Sequence, residues 1–204
     1  MKGETRKKMV VGAADLIRRR GVNATSMREV VRHTGTPRGS IGHHFPHGKQ
    51  QLVEEALLLA HQEVSAPLAE LVSRSGTVSG LRAFIEGWRH ILQKSDFEAG
   101  CPILAVAVEQ YIGDDGLPNP LAQQQLLDIA RTALEDWQKI LCTGLRKDGL
   151  PPARARRLAT LIISSVEGTV ALCRASRSVR PLDDVQTELE ALLTSAIKTV
   201  QASD

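Results

Sequence analysis

Thr36, Arg38, Ser40 and His43 fall on the outward face of a short segment whose first turn holds Pro37, while Ile41 and Phe45 point the other way. Four hydrogen-bond donors on one face can recognise a ligand but have no bond-making partner. An arginine there forms a bidentate pair with guanine, and a serine or threonine hydroxyl bonds or packs against several bases in a major groove. Gly39 lets the backbone approach closely. Ser26 heads a neighbouring helix whose free amides suit a phosphate, although the same hydroxyl serves equally as a plain helix cap. Lys49 opens a further helix where its ammonium would clamp a phosphate, and Thr5, Arg6 and Lys7 would reach phosphate or a minor groove. His43 reads as a phosphate or base contact, and His44 as a packing residue beside Phe45.

Other chemistries lack their parts. His33, His43, His44 and His47 lie within fifteen residues, but they come from two helices and a loop, and the one i, i+4 pair, His43 and His47, runs from a helix into that loop, so no metal is expected. Cys101, Cys142 and Cys173 are too few and too widely spaced for a disulfide framework or a zinc site, and read as buried thiols. No nucleophile motif or phosphate-binding glycine loop occurs, and Glu109 with Tyr111 is too slight a pair for acid–base work. Neither enzymatic activity nor a cofactor is expected.

The elements that must position the donors are helices. Apolar residues recur at three and four along the chain, with Gly and Pro between segments, which predicts an all-α fold. The first helix runs over 4–20 and stops at Gly21, with Val10, Ala13, Ala14 and Ile17 on one face. Arg18, Arg19 and Arg20 favour its dipole whether or not they touch anything else. Ser26-Met-Arg-Glu29 is a capping box opening a second short helix with Met27, Val30 and Val31 inward. After the Gly35 turn, a third helix spans 37–45 with Pro37 in its first turn, completing a helix-turn-helix. Further helices are predicted at 49–65, ending before Pro67, and at 78–94, 101–112, 120–147, 152–176 and 182–201.

The charge distribution follows this division. Residues 1–50 hold 11 Lys and Arg against 3 Asp and Glu, whereas the other residues hold 15 against 20. A basic segment joined to an acidic helical body suggests that only the former meets a polyanion. An aromatic content of 3% argues against an OB-fold or an RRM, whose surfaces need stacking rings. The longest uncharged apolar run, 101–108, falls far short of a membrane span, and no signal peptide precedes the first helix, so a soluble cytoplasmic protein is expected.

Together these motifs resemble the TetR family of bacterial transcriptional regulators. The resemblance rests on the first helix ending in Gly21, on Ala24-Thr25-Ser26-Met27-Arg28-Glu29-Val30, on Gly35, and on Gly39-Ser40-Ile41-x-His43-His44-Phe45-Pro46-x-x-Lys49. Gly100-Cys101-Pro102-Ile103, Glu167-Gly168, Arg174-Ala175 and Pro181-Leu182 are similar to the branch containing the lincomycin-resistance regulators. Many family members carry tyrosine where Gly42 stands, so their operator preferences do not transfer.

Residues 1–48 are thus expected to form a three-helix helix-turn-helix domain on double-stranded DNA, and 49–204 a larger helical ligand-binding and dimerisation domain. Leu158, Ile162, Leu189, Leu192 and Ala196 belong to apolar stripes wider than a single seam, which predicts an isologous homodimer and a palindromic operator. Trp88, Leu92, Ala105, Val108, Leu134, Trp137, Leu141 and Ser165 suit a pocket between helices and suit an ordinary core equally. The resemblance implies that this region holds a small-molecule inducer, apolar or aromatic by its lining. An architectural or partner-recruiting DNA-binding protein without a ligand is the alternative.

Overall fold

The computed structural model describes residues 2–202, which are helical apart from short connections and an isolated bridge between Ile112 and Pro118. The helices are α1 (Lys2–Arg20), α2 (Met27–Thr34), α3 (Ile41–His44), α4 (Gly48–Lys94), α5 (Pro102–Val108), α6 (Pro120–Lys147), α7 (Pro152–Ser176) and α8 (Arg180–Gln201). A single 3-10 turn, Arg38–Ser40, leads into α3.

Three elements depart from the periodicity. The third helix was expected over 37–45, but Pro37 is extended (ψ 129°), and the segment is a 3-10 turn followed by the four residues of α3. The two glycines, Gly39 and Gly42, weaken helix propagation there. Helix α4 does not end before Pro67: it runs on to a break at Gly76, whose φ of 81° and ψ of 168° divide it into limbs 48–75 and 77–94. Burial of Leu68 and Val72 just beyond the proline offsets the hydrogen bond that Pro67 cannot donate. Finally, α5 stops at Val108 rather than 112, because Glu109 is extended and 109–114 is taken up by bonds to other segments.

The described chain forms two compact units interleaved in sequence. One comprises residues up to Gln62 with Cys101–Ala133; the other comprises Glu63–Gly100 with residues from Leu134 onward. In the first, α1 packs against α2, α3 and α5. Its core holds Met9, Ile17, Val30, Phe45, Leu52, Leu57, Ile103 and Leu126. In the second, α7 packs along α8, and Leu81, Ile85, Leu92, Trp137, Leu141, Ile162 and Leu193 are buried. The 77–94 limb is tied to α8 by Arg89 to Asp183 (2.9 Å) and by Arg82 to Glu190 (2.6 Å). By length and mean hydropathy (1.4), α7 is long and apolar enough to cross a bilayer, but half of its apolar stretch is buried within the chain, as suits a helix packed on α8.

Candidate nucleic-acid interface

The reading surface starts from a well-made α2. Ser26 accepts the Glu29 N–H at 3.2 Å and the Glu29 carboxylate accepts the Ser26 N–H at 3.4 Å, so the capping box is present with both bonds. At the other end Gly35 adopts φ 64°, a left-handed C-cap whose N–H reaches the Val31 carbonyl. Val30 and Val31 anchor α2 in the core, which leaves Arg28 and Arg32 outward.

Past the turn, Arg38, Gly39, Gly42 and His43 are exposed, and Thr36 and Ser40 are half-buried. The Ser40 hydroxyl donates to the Pro37 carbonyl at 2.7 Å, and the Thr36 and Thr34 hydroxyls lie 2.9 Å apart. Both hydroxyls keep lone pairs for a second partner. His43 meets His44 edge-on with centroids 5.5 Å apart, and His44 meets Phe45 at 6.5 Å. Phe45 is fully buried, whereas Ile41 is half-buried because its helix is only one turn long.

Charge at this surface is partly neutralised from within. Arg6 pairs with Glu55 at 2.5 Å and lies 5.3 Å above the Phe45 ring, so it braces α4 as well as any outside partner. Thr5 beside it is half-buried. Arg20 and Arg32 both pair with Glu29 at 3.3 Å. Arg28 and Arg38 are exposed and carry no ion pair among the described residues. Arg28 was not singled out from sequence, although its place two residues after the Ser26 cap puts it on the first turn of α2.

Lys49 departs from its expected role. It is only 6% exposed, its Nζ donates to the Ile112 carbonyl at 3.4 Å, and it lies 5.3 Å over the Tyr111 ring. Desolvation holds its ammonium below the usual lysine range, with Asp114 and Glu109 pulling it back. A lysine so placed tethers 109–114 from inside instead of clamping phosphate. Burial likewise pushes the Tyr111 phenol up to about 12, with Asp114, Glu54 and Asp115 adding to the rise.

The same loop grips the start of α2. The Glu109 carboxylate accepts the Val22 and Asn23 N–H groups at 3.0 and 3.2 Å. Asn23 donates to the Gln110 carbonyl at 2.6 Å and accepts the Ile112 N–H at 2.9 Å. Gly21 makes this approach possible: its φ is 83°, and a Cβ there would sit 2.0 Å from a Glu109 oxygen. In the sequence Gly21 shows only as a helix stop, and nothing local to Glu109 reveals a partner 87 residues away.

The remaining candidates separate. Ala105, half-buried, and Val108, 73% exposed, belong with α1 in the first unit rather than with the other six ligand candidates. Leu92, Trp137 and Leu141 are filled core of the second unit, where Leu134 and Ser165 are half-buried. Trp88 lines a cavity formed by residues between 63 and 91, and the other seven do not line that cavity. Among the seam candidates, Leu158, Ile162 and Leu189 are buried inside the chain, where α7 and α8 pack on each other, while Leu192 and Ala196 remain half-exposed. The uncovered apolar face of α7 instead runs through Leu161 and Leu172, 43% and 59% exposed, with Ser164 and Gly168 between them.

Comparison with known proteins agrees with this anatomy. Residues 10–56 match the family described as bacterial regulatory proteins, tetR family, and residues 77–188 match the transcriptional regulator LmrA/YxaF-like C-terminal domain. An HTH-type transcriptional regulator of Mycobacterium tuberculosis (strain ATCC 25618 / H37Rv) is 40% identical over 192 residues, covering 94% of this chain and 95% of the relative. The HTH-type transcriptional regulator LmrA of Bacillus subtilis is 23% identical over 94% of this chain and 97% of its own length. The fold is similar to a TetR-family regulator from Agrobacterium tumefaciens, with a TM-score of 0.77 and 22% identity over 94% of this chain and 98% of that one. A TetR regulator from Chloroflexus aurantiacus J-10-FL gives 0.71 and 29% over 95% and 96%.

Proposed function

The chain belongs to the TetR family of DNA-binding transcriptional regulators, and from that premise we propose that it is a homodimeric cytoplasmic repressor released from a palindromic operator by a small apolar or aromatic inducer. Regulators of this family bind DNA and typically form homodimers; it is a family of regulators, not of enzymes. The observation that carries the DNA-reading half is the pair of exposed guanidiniums, Arg28 and Arg38, without ion pairs among the described residues, on either side of the Gly35 turn.

In this reading residues 1–48 engage DNA and 49–204 bind ligand and partner. Arg38, with Thr36, Ser40 and His43 around it and Gly39 allowing close approach, reads base edges, while Arg28, the amides capped by Ser26, Thr5 and Arg6 fix the backbone. Two copies join through the uncovered α7 face at Leu161 and Leu172, flanked by Leu192 and Ala196 of α8, because a monomer would leave that stripe in water. Helix α4 contributes residues to both compact units, so a ligand that prefers one arrangement of its limbs shifts the DNA-competent population.

The test is binding to mutated operators after a footprint has located the site. Arg38→Ala should relax preference at one position in each half-site, costing about 1–3 kcal/mol per lost base contact. Arg28→Ala should weaken all sequences alike and lower the salt slope by about 1 per contact. An unchanged ranking of operators with Arg38→Ala would overturn the base-reading role.

A further inference from the structure

Gly42 is a glycine that the chain itself does not need. Elsewhere in the same unit this residue type has an internal cause: a Cβ on Gly12 would strike the Thr34 side chain, and Gly35 has a φ of 64°. Gly42 has neither cause, since its φ is not left-handed and a Cβ built on it meets nothing within 4 Å. It is exposed, as is Gly39 three residues before it, whose surroundings are equally open. Glycine propagates a helix worse than any residue but proline, and this one falls within α3, a helix of only four residues. A cost with no return inside the chain points to a return from outside it. What an outside partner gains from a missing side chain is room to reach the main chain.

The chemistry of the gap narrows that partner. A position that met a phosphate would gain from a hydroxyl or a cation, and glycine offers neither. What it offers is Cα–H surface, with the exposed Arg38 four residues before it and the exposed His43 next in the chain. In a major groove the apolar projection is the C5 methyl of thymine. We propose that Gly42 determines operator specificity by seating a thymine methyl against the main chain of α3; this rests on the function proposed above, in which the segment enters the major groove. The methyl takes the volume that a Cβ would fill. Arg38 and His43 therefore reach base edges at a depth that any side chain at position 42 would deny them.

The test adds one methyl on the protein side of the contact and removes one on the DNA side. Once a footprint has located the operator, each thymine in it is replaced singly by uracil, which pairs alike but lacks the methyl. Affinity is followed by fluorescence anisotropy, beside thermal unfolding of the full-length protein. With wild type, one thymine per half-site should be sensitive, losing about fourfold in affinity with its methyl. Gly42→Ala should raise Tm by about 2 °C as a better helix former, yet bind the thymine operator at least about tenfold more weakly. On the operator carrying uracil at the sensitive position, Gly42→Ala should regain most of that loss, because the alanine methyl fills the vacated space. A stabilised Gly42→Ala with unaltered operator affinity overturns the inference, and so does the absence of any uracil-sensitive thymine. An equal loss on thymine and uracil operators overturns the methyl as the partner. Arg38→Ala, measured alongside, separates the two readings. If it disturbs the ranking of operators while Gly42→Ala is neutral, the role of Gly42 alone fails; if both are neutral, the placement of this segment in the groove fails with it.

Discussion

Replacing Lys49 by methionine removes the ammonium and keeps its aliphatic stem, so it separates two roles that predict different numbers. A lysine that neutralises one phosphate contributes about 0.9 to the slope of log K against log salt, or about 1.8 for a two-fold dimer on B-DNA. With Nζ 3.4 Å from the Ile112 carbonyl and the residue 6% exposed, the expected change in slope is zero. The loss should appear in stability instead. One hydrogen bond from a charged donor and the cation–π contact with Tyr111 together contribute about 2–4 kcal/mol gross, and relief of ammonium desolvation returns part of it. A net loss of about 1–2 kcal/mol corresponds to a fall in Tm of about 2–8 °C for a chain of this size. Operator binding followed by fluorescence anisotropy from about 50 to 200 mM salt, beside thermal unfolding, measures both. A slope lower by about 2 with an unaltered Tm would refute the inward placement of Lys49.

Three further outcomes are expected. Tyr111 is the single tyrosine, so phenolate absorbance should titrate near 12 in the native protein and near 10 once unfolded; between those values the unfolded state has lost a proton the native state keeps, and stability should fall as pH rises. A native midpoint near 10 would mean that the ring is not desolvated. Leu172→Asp or Leu161→Asp should yield folded monomers by sedimentation, whereas Leu189→Asp should unfold the chain, since the first two are uncovered and the third is core; dimers surviving both of the former would place the seam on another face. Gly21→Ala should cost about 2–4 kcal/mol in chemical denaturation, because alanine is disfavoured at φ 83° and its Cβ would displace the Glu109 carboxylate; a change below about 0.5 kcal/mol would show that Glu109 does not grip this turn.

Local chemistry is what the sequence displays well. The Ser26–Glu29 capping box, the Gly35 cap and the limits of α6 and α7 are written in neighbouring residues, and the structure has them where those residues put them. Pro67 shows the limit of such signals: a proline inside a helix costs about 3 kcal/mol, and distributed burial of residues such as Leu68 and Val72 outweighs it without leaving a local mark. Gly76 carries the break instead, and its left-handed conformation has no signature beyond the residue type. The stripes on α7 and α8 are legible as apolar, but which apolar residues face a second helix of the same chain depends on the crossing of the two helices. That is why Leu158 and Ile162 lie inside while Leu161 does not. Lys49 fails for the same reason: a basic residue at a helix start suits phosphate until a loop sixty residues later supplies Tyr111, Ile112 and Asp114.

The interleaving of the two units imposes an order on synthesis. The turn at Val22 and Asn23 closes on Glu109, 87 and 86 residues downstream, so on a ribosome adding about 5–20 residues per second the reading head precedes its anchor by about 4–17 s. During that interval α1 and α2 can form and pack, whereas the Gly21 turn has no carboxylate to hold it and the face of α1 that receives α5 is bare. The nascent chain thus emerges basic and half-clasped, and the finished grip on α2 arrives only after the whole of the 63–100 segment has left the peptidyl-transferase centre.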